Sequence, residues 1–592
     1  MFINHLDRAA PAQILLDGEW RIAFDPENRG KADGWHLLPE PPAGARPISV
    51  PSCWEEIEPG YDGVAWYWTT ISAAGAARSR LLFDAVNYFA EVWIDGEYVG
   101  SSEGGYTPFS FDVTDHLTGE HALVVRVLCP PKDETGTDGF VLKELPCWRS
   151  YESFNFGGIW QSVRLLHLPE THLRDVFVRP NATLDGVDVE VELAEGMRGE
   201  VSVWIDGEGD PQPSLCLHIK DPKRWTPDDP HLYTLRVRVE AGGEVDEGSV
   251  RFGLRSLTFE DNEILLNGEP CFVKGAFHEG LYPIGLPRPT SREFVEDEIR
   301  KAKDTGFNLL RYWQIPIHPH VLDAADKLGM MLMNEPPIEW MTQTDQTARR
   351  CRDEVERLVR RDRNRASVTF WTILNETGIQ PDANRRNACT ASQLEYEEAP
   401  IQHIRHELCA LARSLDPTRL IIDDSGGFMG HANIYLPGES KPVPFNDLHT
   451  YERVPIPEFR LNELREMATK EGQTNAATVI PGGAVLMSEF GYGSFPDFAS
   501  ILKRYEDEGA TQTEDYAHHK SLHDSLATGF AAHGMGRWLG SVADLTNECQ
   551  EIHAEGNALQ TMALRAGPLV RGYVMHAFSA GGCIIGAELF DT

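Results

Sequence analysis

Two glutamates stand at the ends of short apolar runs and carry the functional groups needed to cut a glycosidic bond. Glu376 closes the run WTILNE, and Glu489 closes the run VLMSE. Glycoside hydrolysis uses one carboxyl group that gives up a proton and a second one that is ionised, so the two must face one sugar in different environments. The sequence therefore predicts a site that brings these distant residues together. For either glutamate alone, a salt bridge to a neighbouring loop is the alternative.

The elements that must hold them are eight short apolar runs, which alternate with segments of helical periodicity after residue 258. This alternation is typical of a parallel sheet covered by helices. Eight strands with intervening helices predict a (β/α)8 TIM barrel, in which catalytic residues lie at the carboxyl ends of the strands. Glu376 and Glu489 end the fourth and seventh runs. The runs comprise residues 271–276, 308–313, 330–335, 368–376, 419–424, 446–451, 484–489 and 572–577.

The first helix and the last strand of this barrel have distinctive surroundings. Thr290 and Glu293 have the spacing of a capping box at the start of the first helix, and Gly306 follows its expected end. After the eighth run only 15 residues remain. The sequence therefore predicts either an unusual closure of the barrel or a chain that is shortened after strand eight.

The N-terminal part of the chain has the pattern of two β-sandwiches. From residue 14 to 167, short alternating segments are separated by turn residues such as Asp95-Gly96, which favours a β-sandwich. Between 168 and 257 a second alternating region is short enough for one immunoglobulin-like sandwich. We therefore predict three domains: 1–167, 168–257 and a catalytic barrel over 258–592.

Composition restricts the partners of the protein. The chain of 592 residues has a formal net charge of −37, which repels phosphate backbones and anionic lipids and argues against nucleic acid and membrane partners. No stretch approaches the roughly 20 apolar residues of a membrane span, and the start lacks the pattern of a secretion signal. We expect a cytoplasmic protein, and the sequence does not exclude a homo-oligomer. The ten cysteines form no CxxC pair, which disfavours a zinc ribbon or a disulfide framework.

In its two glutamate runs and in motifs of all three predicted domains, the chain resembles glycoside hydrolase family 2, the β-galactosidase and β-glucuronidase family, over nearly its whole length. The N-terminal region resembles that family's sugar-binding jelly roll, the second region its immunoglobulin-like domain, and the glutamate runs its catalytic barrel. The resemblance implies a retaining exo-β-glycosidase with Glu376 as acid/base and Glu489 as nucleophile. The motifs that carry it are LDGEWRIAF, VNYFAEVWIDGEYVG, GGIWQSVRLL, DPKRWTPDDPHLYTLRV, LLNGEPCFVKGAFHEG, GFNLLRYW and LDAADKLGMMLMNE.

The resemblance also implies roles for three neighbours of the glutamates. Asn375 would contact the sugar 2-hydroxyl, a hydrogen bond that can strengthen in the transition state. Arg311 would keep the nucleophile ionised through its positive charge, and Tyr451 would donate its hydroxyl to the same carboxylate. The alternatives are a capping amide for Asn375 and ordinary rim residues for Arg311 and Tyr451.

Further sugar contacts are predicted by position at strand ends. His278 and Glu279 match a His-Glu pair found in family members, although the surrounding loop is shorter here, and Trp313 could stack on a pyranose ring. For each single histidine, the alternative is a hydrogen-bonded residue of the core or one that supports a neighbouring residue of the site. The family's tryptophan after strand eight is missing from HAFSAGGCIIG. The predicted substrate contacts are Asn375, Arg311, Tyr451, His449, His278, Trp313, Asp424 and His576, with Glu279 and Gln314 adjacent to two of them.

Metal binding and other functions remain as alternatives. His519 and His523 are spaced to share a helix face, and Asp447 with His449 has a chelating pattern, but no third ligand is evident for either pair. We predict no cofactor, although magnesium or sodium is implied for some family members. β-Mannosidase is the nearest enzymatic alternative. A carbohydrate-binding protein with an inactive barrel is the alternative of another class, and the presence of both glutamates argues against it.

Overall fold

The computed structural model describes most of the chain and divides it into two compact units. The first unit takes in residues 1–147, 155–256 and 344–366, and the second takes in 148–154, 257–343 and 367–592. Within the described part, no helix combines the length and apolar character needed to cross a membrane. The described residues are 6–8, 12–72, 77–117, 119–132, 135–147, 155–338, 341–376, 400–426, 431–437, 442–469, 473–474, 477–491 and 493–579.

Two antiparallel sheets of the first unit form the predicted jelly roll. Alternation along the strands turns one side chain in two toward the space between the sheets, where large side chains such as Trp20, Tyr67 and Phe83 form a continuous core. One sheet has the order Gln13–Leu15, Val163–Leu168, Arg78–Phe83, Phe109–Asp112, and the other has the order Arg46–Val50, Gly18–Phe24, Gly63–Ser72, Glu120–Cys129, Phe89–Ile94, Glu97–Glu103.

Two three-stranded antiparallel sheets form the immunoglobulin-like sandwich. Strictly alternating valines and leucines fill its core, among them Val203, Leu235 and Val237. One sheet has the order Leu173–Pro180, Gly186–Leu193, Cys216–His218, and the other has the order Glu200–Ile205, Tyr233–Ala241, Glu244–Phe252.

The second unit is a closed barrel of nine strands. All eight predicted strands are present, and β9 pairs with β1 in parallel, so the ring closes. The strands are β1 Val273–His278, β2 Leu309–Tyr312, β3 Met331–Asn334, β4 Val368–Asn375, β5 Leu420–Ser425, β6 His431–Tyr435, β7 Val443–Thr450, β8 Val485–Phe490 and β9 Val570–Ser579. Hence the predicted fold class, a jelly roll, an immunoglobulin-like sandwich and a TIM barrel, is confirmed.

Strand β6 was not predicted. It runs antiparallel to both β5 and β7, so it separates two strands that a regular barrel would pair directly. A parallel connection needs a dozen or more residues, normally with a helix, and the segment between β5 and β7 uses its length for a returning strand instead. The segment after β9, on which the prediction about the chain's end rests, lies outside the described residues.

Helices connect the barrel strands along the sequence. The first begins at Arg292, and its N-cap is Ser291, whose hydroxyl accepts from the Phe294 amide at 3.0 Å. The predicted capping box of Thr290 and Glu293 is therefore wrong, because the helix starts one residue later. Between β8 and β9 four helices replace the single one expected. The helices are α1 Arg292–Asp304, α2 Pro319–Leu328, α3 Thr347–Asp362, α4 Pro400–Leu415, α5 Glu458–Arg465, α6 Phe498–Asp507, α7 Glu514–Ala532, α8 Gly536–Leu539 and α9 Val542–Ala566.

Helix α3 belongs to the first unit although its sequence lies between two barrel strands. Its arginines bond to acidic residues there, for example Arg350 with Glu103 at 2.5 Å and Arg360 with Asp175 at 2.9 Å. The predicted domain boundaries stay predictions, since this helix shows that the compact units are not continuous in sequence. Small antiparallel sheets complete the second unit with strands Leu257–Glu260, Glu263–Leu266, Glu269–Pro270, Gln473–Thr474 and Ala477–Thr478.

Candidate active site

The carboxyl ends of the parallel barrel strands bring the predicted chemical groups to one rim. Arg311 lies near the end of β2, Asn375 ends β4 with Glu376 next in the chain, and Glu489 lies near the end of β8. Because parallel strands point the same way, residues at their ends meet at the same mouth. The side chain of Arg311 is fully buried and reaches the groups from the neighbouring strands.

The two glutamates converge at this mouth. An oxygen of Glu376, an oxygen of Glu489 and a ring nitrogen of His449 lie within 4.8 Å of one another. The Glu376 side chain is 34% exposed, whereas that of Glu489 is 5% exposed. One carboxylate is therefore open to solvent and the other lies beneath it, which gives the pair two different environments.

Arg311 is the centre of the buried charges. Its Nε donates to Glu335 at 2.7 Å and its Nη1 to Glu489 at 3.1 Å. Nη1 also donates to the Ser488 carbonyl at 3.0 Å, and Nη2 donates to Asn375 Oδ1 at 2.6 Å. Burial acts to lower the pKa of Arg311, but the charges of Glu335 and Glu489 raise it above its ordinary value. The guanidinium therefore stays charged and fixes a carboxylate and an amide in place.

Tyr451 completes the surroundings of Glu489. Its hydroxyl donates a short hydrogen bond to Oε2 of Glu489. Tyr451 is 37% exposed, but its hydroxyl points inward to Glu489, where desolvation raises the pKa of Tyr451 well above its ordinary value and the charge of Glu489 adds to this. The phenol therefore keeps its proton and acts as a donor. The structure thus brings Arg311 and Tyr451 onto the two oxygens of one carboxylate.

His449 lies between the two glutamates. Its Nδ1 is 2.5 Å from Oε1 of Glu376, and its Nε2 is 3.6 Å from Oε1 of Glu489. Nε2 also lies 3.4 Å from Arg311 Nη1 and 3.3 Å from the Ser425 hydroxyl. The sequence predicted His449 as a sugar contact, but the structure places its ring between the carboxylates.

Charges and burial shift the pKa values of these groups. Burial opposes ionisation of Glu376, but the hydrogen bond and charge of His449 outweigh it and lower the pKa of Glu376. Burial raises the pKa of Glu489, while the charges of His449 and Arg311 act against this rise. Burial also disfavours a charged His449, but the carboxylates of Glu489 and Glu376 raise the pKa of His449 above its ordinary value. A positive charge on His449 and a negative charge on Glu376 therefore favour each other across the contact of Nδ1 with Oε1.

Aromatic rings line one side of the mouth. The His576 ring stacks on Phe277 with centroids 4.0 Å apart, and it lies 6.1 Å from the Tyr451 ring. Trp313 lies 5.9 Å from Phe277 and is nearly buried. Burial lowers the pKa of His576 well below its ordinary value, and the charges of Arg311 and His449 contribute. His576 is therefore a neutral ring in this wall, consistent in position with the predicted contacts.

His278 faces away from the mouth. It is fully buried, its ring stacks on Tyr312 at 4.4 Å, and its Nε2 lies 3.6 Å from Glu298 of helix α1. Phe277 pairs with Arg311 in the sheet register, and the alternation of a strand turns the next residue toward the helices. This position disagrees with the predicted sugar contact, because a fully buried ring offers no face to a ligand.

Asp424 also lies outside the cluster. It is fully buried on β5, and its charge acts on a thiol of helix α4. Burial raises the pKa of Cys409 well above its ordinary value, and the charges of Asp423 and Asp424 add to the rise. The next residue, Ser425, reaches the mouth instead, so the predicted sugar contact of Asp424 disagrees with the structure.

Several buried polar residues near the glutamates were not predicted as substrate contacts, and Asp447 was considered only as a metal ligand with His449. Asp447 Oδ1 accepts from the Ser425 hydroxyl at 3.0 Å, from the Gly426 amide at 2.9 Å and from the Ser488 hydroxyl. Glu335 is buried, and burial raises its pKa against the opposing charge of Arg311. Each follows or ends an apolar run as Glu376 and Glu489 do, and this common position was the available signal.

Candidate metal ligands were tested against the same geometry. Among the described residues, Glu376, His449 and Glu489 form one group with ligand atoms close enough for an ion. However, Arg311 Nη1 lies 3.1 Å from Glu489 and 3.4 Å from His449, and Mg²⁺ requires an octahedron of oxygen ligands. A guanidinium in this place does not fit a magnesium or sodium ion, so we assign no metal ligands here. His519 Nδ1 donates to the Asp515 carbonyl at 2.7 Å and lies in a helix with His523.

Sequence comparison identifies relatives of the chain. Models of three domains match: "Glycosyl hydrolases family 2, sugar binding domain" over residues 14–169, "Glycosyl hydrolases family 2" over 200–255, and "Glycosyl hydrolases family 2, TIM barrel domain" over 257–520. A β-galactosidase from Aeromonas hydrophila is 26% identical over 63% of this chain, and one from Alteromonas mediterranea is 26% identical over 74%. The matches span 42% and 47% of those two proteins, so the chain spans less than half of their length.

Solved structures show the same fold. A β-glucuronidase from Ruminococcus gnavus in complex with D-glucuronic acid has a TM-score of 0.71 at 19% identity, with 98% of this chain and 93% of that chain covered. A β-glucuronidase from an uncultured Clostridium sp. has a TM-score of 0.69 at 19% identity, with the same coverage. At such identity these structures speak for the fold alone. With three matching domain models in the expected order, the chain belongs to glycoside hydrolase family 2.

Proposed function

We propose that the protein is a retaining exo-β-glycosidase that hydrolyses O-glycosidic bonds. The observation that carries the proposal is the convergence of Glu376 and Glu489, whose nearest ligand oxygens lie within 4.8 Å of each other. Retaining enzymes hold their two carboxyl groups roughly 5–5.5 Å apart, whereas inverting enzymes leave about 6.5–9.5 Å for a water molecule. The close approach supports direct attack by one carboxylate on the sugar.

The surroundings of each glutamate support its assigned role. Glu489 is buried and accepts hydrogen bonds from Arg311 and Tyr451, which orient a carboxylate nucleophile. Glu376 is the more exposed of the two, so a leaving oxygen and later a water molecule can reach it. We therefore assign Glu489 as the nucleophile and Glu376 as the acid/base.

The reaction then takes two steps. Glu489 attacks the anomeric carbon and forms an ester bond to it, while the bond to the leaving oxygen breaks and that oxygen takes a proton from Glu376. In the second step, water attacks the same carbon and gives a proton to Glu376, and Glu489 leaves as a carboxylate. Asn375 supports both steps, because Arg311 holds its Oδ1 at 2.6 Å and leaves the amide NH₂ to donate to the sugar.

The charge of the mouth favours a neutral sugar. Among the described residues at the mouth, the cations Arg311 and His449 face the carboxylates of Glu335, Glu376 and Glu489. An additional sugar carboxylate would enter a site in which negative charge is already in excess. We therefore propose a β-galactosidase-type specificity ahead of a β-glucuronidase type, and the β-mannosidase type, whose sugar is also neutral, stays the alternative.

A panel of nitrophenyl β-glycosides tests this proposal. We expect release of nitrophenol from the galactoside, and NMR should show the β-anomer as the first free sugar. Release from the glucuronide or mannoside alone would overturn the sugar assignment, and an α-anomer would overturn retention. No release from any substrate would leave the protein as a carbohydrate binder with an inactive barrel.

Azide rescue tests the roles of the two carboxylates. Glu489→Gly should lose turnover by roughly 10⁴-fold or more, and azide should restore it with an α-glycosyl azide as product. Glu376→Ala should lose activity mainly on poor leaving groups, and azide should give a β-glycosyl azide. The matched control Glu97→Gly changes an exposed glutamate of the jelly roll and should keep full activity. Exchange of the two azide products would reverse the assignment.

A further inference from the structure

His449 has no part in a scheme that uses only an acid/base and a nucleophile, yet its ring lies between them. Nδ1 is 2.5 Å from Glu376 and Nε2 is 3.6 Å from Glu489. The side chain is 6% exposed, so these contacts are not shared with bulk water. A buried imidazole with one ring nitrogen at each carboxylate is placed to exchange a proton with at least one of them.

The packing around His449 is specific to this position. A methyl group at Gly426, which follows β5, would overlap the His449 ring. Gly426 also has φ +59°, a left-handed conformation that glycine adopts without strain. The loop after β5 therefore lets the ring lie directly against its backbone, on the side of Nδ1, and this contact holds the ring toward Glu376.

The charges on all sides of the ring favour its protonated form. Two ionised carboxylates contact it, while Arg311 Nη1 at 3.4 Å opposes a second positive charge. Among the described groups, the carboxylates outnumber the other cations, and the pKa of His449 is raised accordingly. The charged and titratable groups that face the ring are Glu376 after β4, Glu489 on β8, Arg311 on β2, Asp447 on β7, and Tyr451 and His576 of the mouth.

This arrangement leaves a difficulty for the acid/base residue. A general acid must carry a proton when the glycosidic bond breaks, but the imidazolium keeps Glu376 ionised and lowers its pKa. The proton that Glu376 lacks lies on the adjacent Nδ1. The pair, taken as one unit, therefore holds the proton that the reaction needs.

We propose that His449 and Glu376 share one proton, which His449 holds before the substrate binds and delivers through Glu376 to the leaving oxygen. This rests on the proposed glycosidase function. In the first step the proton moves from Nδ1 to Glu376 and on to the leaving oxygen as the C1–O bond breaks and Glu489 bonds to C1, which leaves His449 neutral. In the second step water bonds to C1, its proton passes through Glu376 back to Nδ1, and Glu489 is released as a carboxylate.

An NMR titration of the histidine tests the shared proton without any substrate. Protein labelled with ¹⁵N in histidine is titrated, and His449→Asn identifies the signal of His449. A charge-assisted hydrogen bond of about 1.5–3 kcal/mol corresponds to a shift of about one to two pKa units. We therefore expect Glu376→Gln to lower the pKa of His449 by about that amount. The same pKa in both proteins would overturn the proposal.

The pH profile of kcat/KM tests whether catalysis uses this proton. In His449→Asn the proton must be held by Glu376 alone, so the basic limb should move to lower pH. Activity on phenyl glycosides should fall by roughly 10²-fold, the lower range for general acid catalysis, with a loss of less than about threefold on dinitrophenyl glycosides, which need little protonation. Equal losses on both substrates with an unchanged basic limb would indicate a structural role and overturn the proposal.

Two further variants distinguish an effect on the shared proton from misfolding and from failure of the proposed glycosidase function. Gly426→Ala displaces the ring without removing it and should move the basic limb in the same direction. The control His121→Asn removes a histidine that lies 2.6 Å from Asp95 in the jelly roll, and it should leave the profile unchanged. If the native protein cleaves no glycoside, the proposed function fails, and the NMR titration still decides whether His449 and Glu376 share a proton.

Discussion

Arg126 in the jelly roll and Arg311 in the barrel are both almost completely buried, and their surroundings differ in charge balance. In the jelly roll, Arg126 bonds to Glu91 at 2.6 Å and to Asp138 at 2.5 Å. Lys31 adds a second bond to Glu91 at 2.6 Å, so two cations meet two carboxylates. Every charge in this group has a partner of opposite sign, which is the requirement for burying ions.

The barrel mouth departs from this balance. Arg311 and His449 face three carboxylates, those of Glu335, Glu376 and Glu489, and Asp447 adds a fourth buried acid nearby. The surplus of negative charge favours uptake of a proton, which balanced ion pairs do not need. The comparison teaches that a buried arginine can serve stability alone, whereas an excess of carboxylates around it indicates chemistry.

Removal of each arginine should separate the two cases most strongly. Arg311→Met leaves Glu335 and Glu489 without their cation and should lower kcat by roughly 10³-fold, while breaking a buried pair costs about 3–5 kcal/mol of stability. Arg126→Met should cost a similar free energy of unfolding, yet the folded fraction should keep its kcat. Urea unfolding and kinetics on active-site-titrated enzyme measure both. Loss of kcat in folded Arg126→Met would break the comparison.

A buried carboxyl group outside the mouth gives a second test of the comparison between the two regions. Glu354 on helix α3 is buried, and burial raises its pKa to about 7. Because the folded pKa exceeds the ordinary 4.5, the folded state binds the extra proton, and stability is lost as pH rises from 4.5 to about 7. Glu354→Gln should therefore add about 3 kcal/mol to the free energy of unfolding at pH 8 and only about 1 kcal/mol at pH 5.5.

Urea unfolding of this variant at the two pH values provides the measurement. The exposed neighbour Glu356 on the same helix supplies the control, and Glu356→Gln should change stability by less than about 0.5 kcal/mol at either pH. An equal gain at both pH values for Glu354→Gln would show that the pKa of Glu354 in the folded protein is close to its ordinary value.

The hydrogen bond from Tyr451 to Glu489 should have a moderate effect. Tyr451→Phe removes a donor to a carboxylate, which is worth about 1.5–3 kcal/mol, so kcat/KM should fall by about 10- to 100-fold. Tyr98→Phe, at an exposed position of the jelly roll, is the matched control. A kcat/KM equal to that of the control would remove Tyr451 from the site.

His278 should give the smallest catalytic effect. His278→Phe keeps the stacking on Tyr312 and loses the hydrogen bond from the Gly280 amide at 2.8 Å. The free energy of unfolding should fall by about 1 kcal/mol, and KM should stay within about twofold. A tenfold rise in KM at unchanged stability would restore the sugar contact that the sequence predicted.

The sequence predicts the main parts of this molecule because strong periodicities define them. All eight parallel strands follow from apolar runs, and Glu376 and Glu489 follow from their places at the ends of two of these runs. Strand β6 has the sequence HANIY, which contains no continuous apolar run, so the pattern that identified the other strands does not reveal it. Likewise, α8, one of the extra helices between β8 and β9, has no buried residue. Its sequence therefore shows only a weak amphipathic pattern.

The errors within the site have a common origin in side-chain direction. His278 and Asp424 lie at strand ends as expected, but a strand turns neighbouring side chains to opposite faces, and only the register with Arg311 shows which face is inside. Glu335 was overlooked for the complementary reason, because its role depends on a contact with Arg311 on the adjacent strand. Position along the sequence thus predicts the rim, and cross-strand pairing is needed to select its members.

The backbone conformation of Glu376 affects which substitutions the fold tolerates at this position. With φ +45°, this residue holds a left-handed conformation that is unfavourable for a side chain and natural for glycine or asparagine. Replacement of Glu376 by either residue would relieve local strain while removing the carboxyl group that we propose as the acid/base. An inactive variant of this protein could therefore persist as a well-folded chain. Only selection for activity keeps a glutamate at this position.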